Sequence, residues 1–440
     1  MIDEARKIAF RVLSRPAKVG RINDTLHQTL SNTSLSSREK RFTTELVMGT
    51  TRMKRRLDAD LAACYRSRYD HMQREVKWLL RLGAYQLHYM DGVPPHAALS
   101  ATADLARNVN LARAVKLVNG VLRELQRRDH AGVFPAEATP DELATAFSHP
   151  TWLVERWLEH WGRERTVDLM EWNNRRPTIW FRQRKDATHQ QRLAQWAQSR
   201  DLTLEAHSRL PDYFAATDTP AALLEPAVME QGLFIVQDPA SGAIVNAVDP
   251  QPGEVILDLC AGPGGKTAAL ADCVGPTGRI LAYEIDHQRV KQINSTLNRL
   301  GLENVDILPG DATSRPLMEA DKILIDAPCT GTGVMARRAD LRWRRQPQHL
   351  TELSSLQMTL LEHAARHLRP GATLVYATCS LEPEENWDLV QKFQERNQNT
   401  YLAPMPSAVP PVWLNDNGAL QTFPPDHHVD GLFAVRLQVS

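Results

Sequence analysis

Two cysteines stand directly after two hydrophobic segments in the second half of the chain. Cys329 follows Ile323–Asp326 and an Ala-Pro pair, and Cys379 follows Leu374–Thr378. A glycine-rich segment lies upstream at 258–267, with the sequence Asp-Leu-Cys-Ala-Gly-Pro-Gly-Gly-Lys-Thr. A thiolate is a soft nucleophile that can add to an unreactive pyrimidine ring and activate it. The three segments together suggest a nucleotide-like cofactor held beside one or two reactive thiols.

Methylation of a ring carbon such as C5 of cytosine is a reaction that needs such a thiol. The thiolate adds to C6, the resulting enamine attacks an activated methyl group, a base removes the C5 proton, and the thiol leaves. The ring also needs a proton or a hydrogen bond at N3. Asp326 lies three residues before Cys329 and is the candidate for that role.

The spacing of the glycines distinguishes three cofactor classes. A P-loop needs glycine where this chain has Cys260, and a dinucleotide fold prefers Gly-x-Gly-x-x-Gly over the Gly-x-Gly-Gly found here. S-adenosylmethionine fits best, because it has no pyrophosphate to bind and Asp258 supplies an acid at the end of the preceding strand. Glu284 is placed to bind a ribose, and Asp311 an adenine amino group. A purely structural turn would not explain acids at the ends of three successive predicted strands.

Length and composition exclude several classes of protein. The 440 residues suffice for two or three domains, and no apolar run of about 18 residues predicts a membrane span. Five scattered cysteines without a Cys-x-x-Cys pair predict a reduced cytoplasmic protein with neither a disulfide framework nor a zinc site. His427, His428 and Asp430 have no partner cluster in the sequence, so we expect no metal.

The net charge is zero, with 52 basic and 52 acidic residues, which argues against indiscriminate coating of nucleic acid. Local basic clusters still occur, and taken together they favour RNA as the partner. Each cluster alone fits a solvated surface equally well, and Trp343 fits either a base-stacking role or a place on the domain surface. The clusters comprise Arg38, Lys40, Arg41, Arg52, Lys54, Arg55 and Arg56; Arg175, Arg176, Arg182, Arg184 and Lys185; and Arg337, Arg338, Arg342, Arg344 and Arg345.

Hydrophobic periodicity divides the chain into three parts. Helical spacing dominates residues 1–130, with helices expected near 2–13, 97–107 and 112–125, and a linker follows at 130–140. Residues 145–235 are mixed, with strands expected at 178–182 and 213–216. From 236 to 440, strands at 255–259, 280–283, 305–308, 322–325 and 373–377 alternate with helices, which predicts a parallel sheet of the Rossmann-like type. Ligands of such sheets bind at the carboxyl ends of the strands, where all the motifs fall.

The chain resembles the NOP/Sun family of RNA cytosine-C5 methyltransferases, and most of all its branch that acts on small-subunit ribosomal RNA. The resemblance covers most of 236–440, including Val236–Ser241, Asp258–Thr267, Asp326–Cys329, Gly331–Val334, Tyr376–Ser380, Glu384–Asn386 and Asp430–Phe433. Weaker similarity at Glu45–Thr50, Arg55–Asp58, Val118–Arg123 and His149–Val154 implies the NusB-like helical domain and the middle segment of that branch. Leu432 stands where the family usually has phenylalanine, which affects only local packing.

The resemblance implies a role for each matching residue. Cys379 is the expected nucleophile, Cys329 the cysteine that assists product release, Asp326 the acid beside the base, and Lys266 a neighbour in the same pocket. Glu284 stands where aspartate is commoner, and its longer side chain should still reach a ribose. The residues implied to line the S-adenosylmethionine site are Asp258, Cys260, Ala261, Gly262, Pro263, Gly264, Gly265, Lys266, Glu284, Asp311 and Asp326.

Three domains are therefore expected: a NusB-like all-α domain at 1–130, a small α+β subdomain at 145–235, and a class I methyltransferase domain at 236–440. The expected activity is methyl transfer to C5 of a cytosine in 16S ribosomal RNA by a monomer. Two alternatives stay open: a tRNA cytosine-C5 methyltransferase, and a non-catalytic RNA-binding factor for ribosome assembly. The cysteine pair argues against the second alternative.

Overall fold

The computed structural model describes residues 4–15, 21–128, 137–216 and 220–439, and the chain forms two units. One unit comprises 1–176 and 335–344, and the other comprises 177–334 and 345–440. The first two residues of the helix expected near 2–13 and most of the linker expected at 130–140 lie outside the described residues. The division into three domains at about 145 and 235 stays a prediction.

The first unit is helical, and the all-α fold expected for it is confirmed. Apolar residues at intervals of three and four put one face of each α-helix between residues 4 and 127 into a common core that includes Ile8, Leu46, Leu79 and Leu122. Its helices are α1 (Glu4–Ser14), α2 (Ile22–Ser31), α3 (Ser37–Arg52), α4 (Lys54–Cys64), α5 (Arg74–Tyr89), α6 (Pro95–Asn108), α7 (Val115–Arg127), α8 (Pro140–Ala146), α9 (Thr151–Asn174) and, from the later segment, α16 (Leu341–Arg344). The helices predicted at 97–107 and 112–125 correspond to α6 and to α7 with a preceding 3₁₀ turn.

The first part of the second unit is a small α+β subdomain, as expected. Its four strands form an antiparallel sheet in the order β2-β3-β1-β4. The strands are β1 (Phe181–Gln183), β2 (Leu204–Ala206), β3 (Tyr213–Ala216) and β4 (Phe234–Val236), and the helices are α10 (Ala187–Gln198), α11 (Pro220–Leu223) and α12 (Pro226–Met229). The strand predicted at 213–216 is confirmed, whereas β2 and β4 were not predicted because three residues are too few to show a period.

The rest of the second unit is a Rossmann-like α/β fold. Its sheet has the order β10-β12-β9-β8-β5-β6-β7, and β11 pairs with β12. The strands are β5 (Val255–Asp258), β6 (Arg279–Glu284), β7 (Val305–Pro309), β8 (Lys322–Asp326), β9 (Thr373–Thr378), β10 (Thr400–Ala403), β11 (Leu420–Gln421) and β12 (Phe433–Val439). The helices are α13 (Pro239–Val248), α14 (Gly265–Val274), α15 (His287–Leu300), α17 (Gln348–His367), α18 (Trp387–Arg396) and α19 (Pro424–His427).

The five strands predicted for the parallel sheet are confirmed as β5 to β9, which pair in parallel. The sheet as a whole is mixed, since β12 runs antiparallel to β9 and β10 runs antiparallel to β12. The predicted parallel strands are thus extended at this edge by antiparallel strands that the sequence did not predict. The direction of β12 is set by its pairing with β9, which lies some 55 residues earlier in the sequence. Local periodicity carries no information about such distant pairing.

Parallel pairing brings several strand ends together. β5 ends at Asp258, β6 at Glu284, β8 at Asp326, and β9 one residue before Cys379. Because these strands point the same way, their last residues and the loops that follow share one edge of the sheet. In the described ranges, none of the helices combines the length and the apolar character required to cross a membrane.

Candidate active site

The glycine-rich turn links β5 to α14 and leaves its backbone accessible. Gly262 and Gly264 have φ of 58° and 88°, in the left-handed region that glycine adopts without strain. A side chain at Gly265 would meet no heavy atom within 4 Å. The amide of Gly262 donates to Oε2 of Glu284 at 2.8 Å, which ties the turn to the end of β6. The turn is therefore fixed on one side and open on the other, as a ligand cradle must be.

Asp258 is a buried acid with spare hydrogen-bonding capacity. Its Oδ2 accepts a hydrogen bond from the hydroxyl of Thr267 at 2.7 Å, whereas its buried Oδ1 has no hydrogen-bond partner among the described residues. Burial raises the pKa of Asp258 to about 6, the Thr267 hydroxyl opposes this, and the charge of Asp326 adds to it. An unpartnered buried oxygen is costly, and a bound ligand with a donor group would satisfy it.

Lys266 and Asp326 form an ion pair at the sheet edge. Nζ of Lys266 donates to Oδ2 of Asp326 at 2.7 Å, and the lysine side chain is only 14% exposed. Burial lowers the pKa of Lys266, but the carboxylate of Asp326 and the neighbouring Cys379 and Asp258 more than offset this, so its pKa lies above the ordinary value. The ammonium is therefore retained beside the thiol of Cys379, and a nearby cation favours the thiolate form of a cysteine.

The two predicted cysteines lie in contact. Sγ of Cys329 is 3.2 Å from Sγ of Cys379, and the amide of Cys379 donates to Sγ of Cys329 at 3.3 Å. Cys329 is buried and Cys379 is partly exposed. The hydrogen bond with Cys379, together with burial and the charge of Glu385, raises the pKa of Cys329 well above its ordinary value. Cys329 thus keeps its proton, and Cys379 is the more exposed of the two cysteines.

The remaining predicted residues occupy different positions around this edge. Glu284 is buried, and its carboxylate accepts from the amides of Gly262 and Asp286 at 2.8 Å each. Burial raises its pKa, although these amides oppose the change. Asp311 is exposed beyond β7, where its Oδ1 accepts from the amide and hydroxyl of Thr313. Burial and the surrounding carboxylates raise the pKa of Cys260 well above its usual range, so this thiol is a poor nucleophile.

Sequence reasoning missed the side chains that surround the cysteine loops. Glu385 lies in the 3₁₀ turn Pro383–Glu385 and is fully buried beside Thr330. Gln357 reaches from α17 to the carbonyl of Pro328 at 2.8 Å, and the guanidinium of Arg345 donates to the carbonyls of Cys329 and Thr330. The signals for this group were the Glu384–Asn386 motif and the basic cluster that includes Arg345, and neither predicted this role.

The third basic cluster is mostly engaged within the fold. Arg342 is fully buried in the first unit, and donates to the carbonyls of Ser148 and Asn173 at 3.1 and 2.9 Å. The indole of Trp343 donates to the carbonyl of Thr51 at 2.6 Å. A base-stacking role for this tryptophan gains no support from this placement.

The other two clusters are also partly structural. Arg184 is buried and pairs with Asp272 at 2.6 Å, and Arg182 is buried against α14. Arg52 is buried too, whereas Arg38 and Arg41 are exposed on α3. The exposed members are the ones that can contact a polyanion.

Comparisons with known proteins agree over the whole chain. The family described as 16S rRNA methyltransferase RsmB/F matches residues 245–438, the NusB family matches 3–127, and the ferredoxin-like domain of RsmF/B-like methyltransferases matches 149–214. The probable ribosomal RNA small subunit methyltransferase B of Synechocystis sp. is 33% identical, and the alignment covers 99% of each protein. The ribosomal RNA small subunit methyltransferase B of Cronobacter sakazakii is 32% identical over 98% of each.

Solved structures agree with the fold. The crystal structure of PH0851 has a TM-score of 0.79 with 25% identity, and the match covers 99% of this chain and 97% of that one. A methyltransferase homolog from Pyrococcus horikoshii has a TM-score of 0.58 with 27% identity over 69% of this chain and 100% of its own. Similarity to the methyltransferase B proteins extends over practically the full length, so this chain is a member of the RsmB/F family of 16S rRNA methyltransferases.

Proposed function

We propose that this protein transfers a methyl group from S-adenosylmethionine to C5 of a cytosine in 16S ribosomal RNA, through a covalent bond between Cys379 and C6. The observation that carries the proposal is the contact of two thiols at 3.2 Å, at the sheet edge where Lys266 pairs with Asp326. A methyl transfer to oxygen or nitrogen needs no thiol, whereas a transfer to a pyrimidine carbon does.

The glycine-rich turn and the acids around it fit S-adenosylmethionine. When bound, this cofactor supplies an electrophilic methyl group on a positively charged sulfur. The open backbone at Gly265 and the unpartnered Oδ1 of Asp258 offer contacts to it, Glu284 ends β6, and Asp311 lies two residues beyond the end of β7. We assign these residues to binding and orienting the cofactor.

Cys379 is assigned as the nucleophile because of its surroundings. The retained ammonium of Lys266 favours its thiolate, and the protonated Cys329 donates a hydrogen bond to that thiolate. As the sulfur–C6 bond forms, the ring electrons move toward N3. The carboxylate of Asp326, which accepts from the ammonium of Lys266, is assigned to relay a proton from that ammonium to N3, and N3 returns the proton once C5 carries the methyl group. After transfer, a base removes the C5 proton, the electrons of that bond re-form the C5–C6 double bond, and the bond between sulfur and C6 breaks to release Cys379 as a thiolate. Cys329 is assigned to assist this release.

Small-subunit ribosomal RNA is the proposed substrate because the relatives that align over the full chain are named for it. The helical first unit matches the NusB family, which is consistent with the ribosomal branch rather than with a tRNA enzyme. The proposal includes a cytoplasmic location, where thiols stay reduced.

Substitution of each thiol tests the mechanism directly. Cys379→Ala should abolish methyl transfer, because the raised pKa values of Cys329 and Cys260, the other two thiols at this edge, make both poor nucleophiles. Cys329→Ala should instead accumulate a protein–RNA adduct, because release is impaired while attack is intact. The measurements are transfer of radiolabelled methyl to purified 16S RNA, and a gel shift that survives denaturation.

Cys64→Ala is the control, since Cys64 is buried in the core of the helical unit. It should keep both normal turnover and normal product release. Full activity of Cys379→Ala would refute the assignment of the nucleophile. Bisulfite sequencing of RNA from cells with and without the gene distinguishes 16S RNA from tRNA, and loss of a methylated cytosine in tRNA alone would refute the proposed substrate.

A further inference from the structure

Each of the two thiols is followed by a hydroxyl residue, and the two hydroxyls meet. Thr330 follows Cys329 on the loop after β8, and Ser380 follows Cys379 on the loop after β9. Their hydroxyl oxygens lie 3.1 Å apart, and both residues are fully buried. The spacing of the sulfurs is therefore tied to the spacing of their neighbours.

The carboxylate of Glu385 hydrogen-bonds to this pair of hydroxyl residues. Its Oε1 accepts from the amide of Thr330 at 2.9 Å, and its Oε2 accepts from the hydroxyl of the same residue. Hydrogen bonds from Ser380 and Thr330 lower the pKa of Glu385, although burial raises it by more. One carboxylate thus interacts with the residues next to both thiols.

A third contact completes the arrangement. The amide nitrogen of Gln357 donates to Oε1 of Glu385 at 3.0 Å and to the carbonyl of Pro328 at 2.8 Å. The backbone carbonyl of Glu385 accepts from the hydroxyl of Tyr376 at 2.6 Å, which anchors the acid to β9. Glu385 is therefore held rigidly, and it cannot relax without moving a loop that carries a thiol.

We propose that Glu385 is a positioning residue that sets the distance between the two thiols, and so the coupling of attack by Cys379 to release by Cys329. This inference rests on the proposed function for its catalytic consequence. The claim about geometry does not depend on the proposed function, since it concerns only the distance between the two sulfurs. A carboxylate is suited to this task because both of its oxygens accept, whereas an amide presents one acceptor and one donor.

Glu385→Gln tests the geometric part without RNA. The amide keeps the size of the side chain but turns one acceptor into a donor, which either opposes the N–H groups of Thr330 and Gln357 or removes the acceptor of the Thr330 hydroxyl. Diamide takes two electrons and two protons from a pair of adjacent thiols and leaves a disulfide. In the wild type it should join Cys329 to Cys379 rapidly, and in Glu385→Gln at least tenfold more slowly, as followed by mass spectrometry of the peptides.

Methyl transfer tests the catalytic part. Glu385→Gln should have a kcat at least tenfold below that of the wild type, while its KM for S-adenosylmethionine stays unchanged. General destabilisation of the fold would not separate the two constants in this way. Glu395→Gln, an exposed acid on α18, should match the wild type in both assays. Thr330→Ser keeps the hydroxyl and should behave as wild type, whereas Thr330→Val should be slow in both, which provides a second test if Glu385→Gln does not fold.

The outcomes separate the two claims. An unchanged disulfide rate in Glu385→Gln and in Thr330→Val overturns the positioning role, and so does a wild type that forms no disulfide. A slowed disulfide rate in a protein that methylates no RNA supports the positioning role and refutes the proposed function instead.

Discussion

At Lys266, burial and charge act in opposite directions on the same ammonium group. Burial alone would lower the pKa and release the proton. The carboxylate of Asp326 at 2.7 Å reverses this, and the lysine stays charged in a largely buried place. The cost of burying the ammonium is thus offset by a partner that the proposed chemistry also uses.

Lys266→Met should slow methyl transfer by about a hundredfold, the scale expected for a group that assists charge development or proton transfer. The reason is loss of the cation beside Cys379, which lowers the fraction of thiolate. The variant should also slow alkylation of Cys379 by iodoacetamide, measured without RNA. Lys291→Met, at an exposed position on α15, is the control and should leave both rates unaltered. Unchanged alkylation in Lys266→Met would contradict the electrostatic role.

Sequence reasoning placed the predicted side chains unequally well. Cys329, Cys379 and Asp326 could be placed because each ends or follows a hydrophobic strand, and parallel strands bring their ends together. Glu385 could not, because its partners come from three other elements. Gln357 lies in an ordinary amphipathic helix, and nothing in its neighbours distinguishes it from a surface glutamine.

Among the elements, the segment 335–344 departs most from what the sequence predicted. Its arginines and Trp343 suggested a basic surface, but the segment packs within the helical unit. Asp340 accepts from the amide of Ile22, and the guanidinium of Arg52 donates to the carbonyl of Ala336. A run of arginines can thus bind carbonyl groups as readily as phosphates, and composition does not tell the two apart.

Arg342→Met should lower the free energy of unfolding of the helical unit by about 2 kcal/mol or more, because buried carbonyl groups lose their donors. Burial and the charge of Arg52 lower the pKa of Arg342, so the site gains little from its charge and depends on its hydrogen bonds. Thermal unfolding followed by circular dichroism measures the change. Arg338→Met is the matched control, because Arg338 is exposed in the same segment. Equal melting temperatures for the two variants would refute this account.

At the scale of the whole molecule, the two units are not contiguous in sequence. The chain leaves the second unit after Val334, contributes ten residues to the helical unit, and returns at Arg345. The segment begins six residues after Cys329, and the guanidinium of Arg345 holds the carbonyl of that cysteine. The loop that carries Cys329 therefore leads directly into a segment of the helical unit.

Hydrogen exchange should report which of the two units the segment 335–344 belongs to. Leu57→Ala, in the core of the helical unit, should cost about 2–5 kcal/mol and increase exchange in 335–344 together with α5. Strand β9 should keep its protection. Leu374→Ala in β9 is the matched control, with the opposite expected pattern. Amides of 335–344 that follow Leu374→Ala rather than Leu57→Ala would contradict the assignment.

The crossing of the chain at Val334 and Arg345 restricts how such an enzyme can be rebuilt. A domain joined by one linker can be exchanged for another by recombination at that linker. Here any replacement for the helical domain would also have to provide a packing site for the ten residues that are inserted within the sequence of the catalytic half. Gene fusions that ignore this requirement would leave Leu341 and Trp343 without their packing.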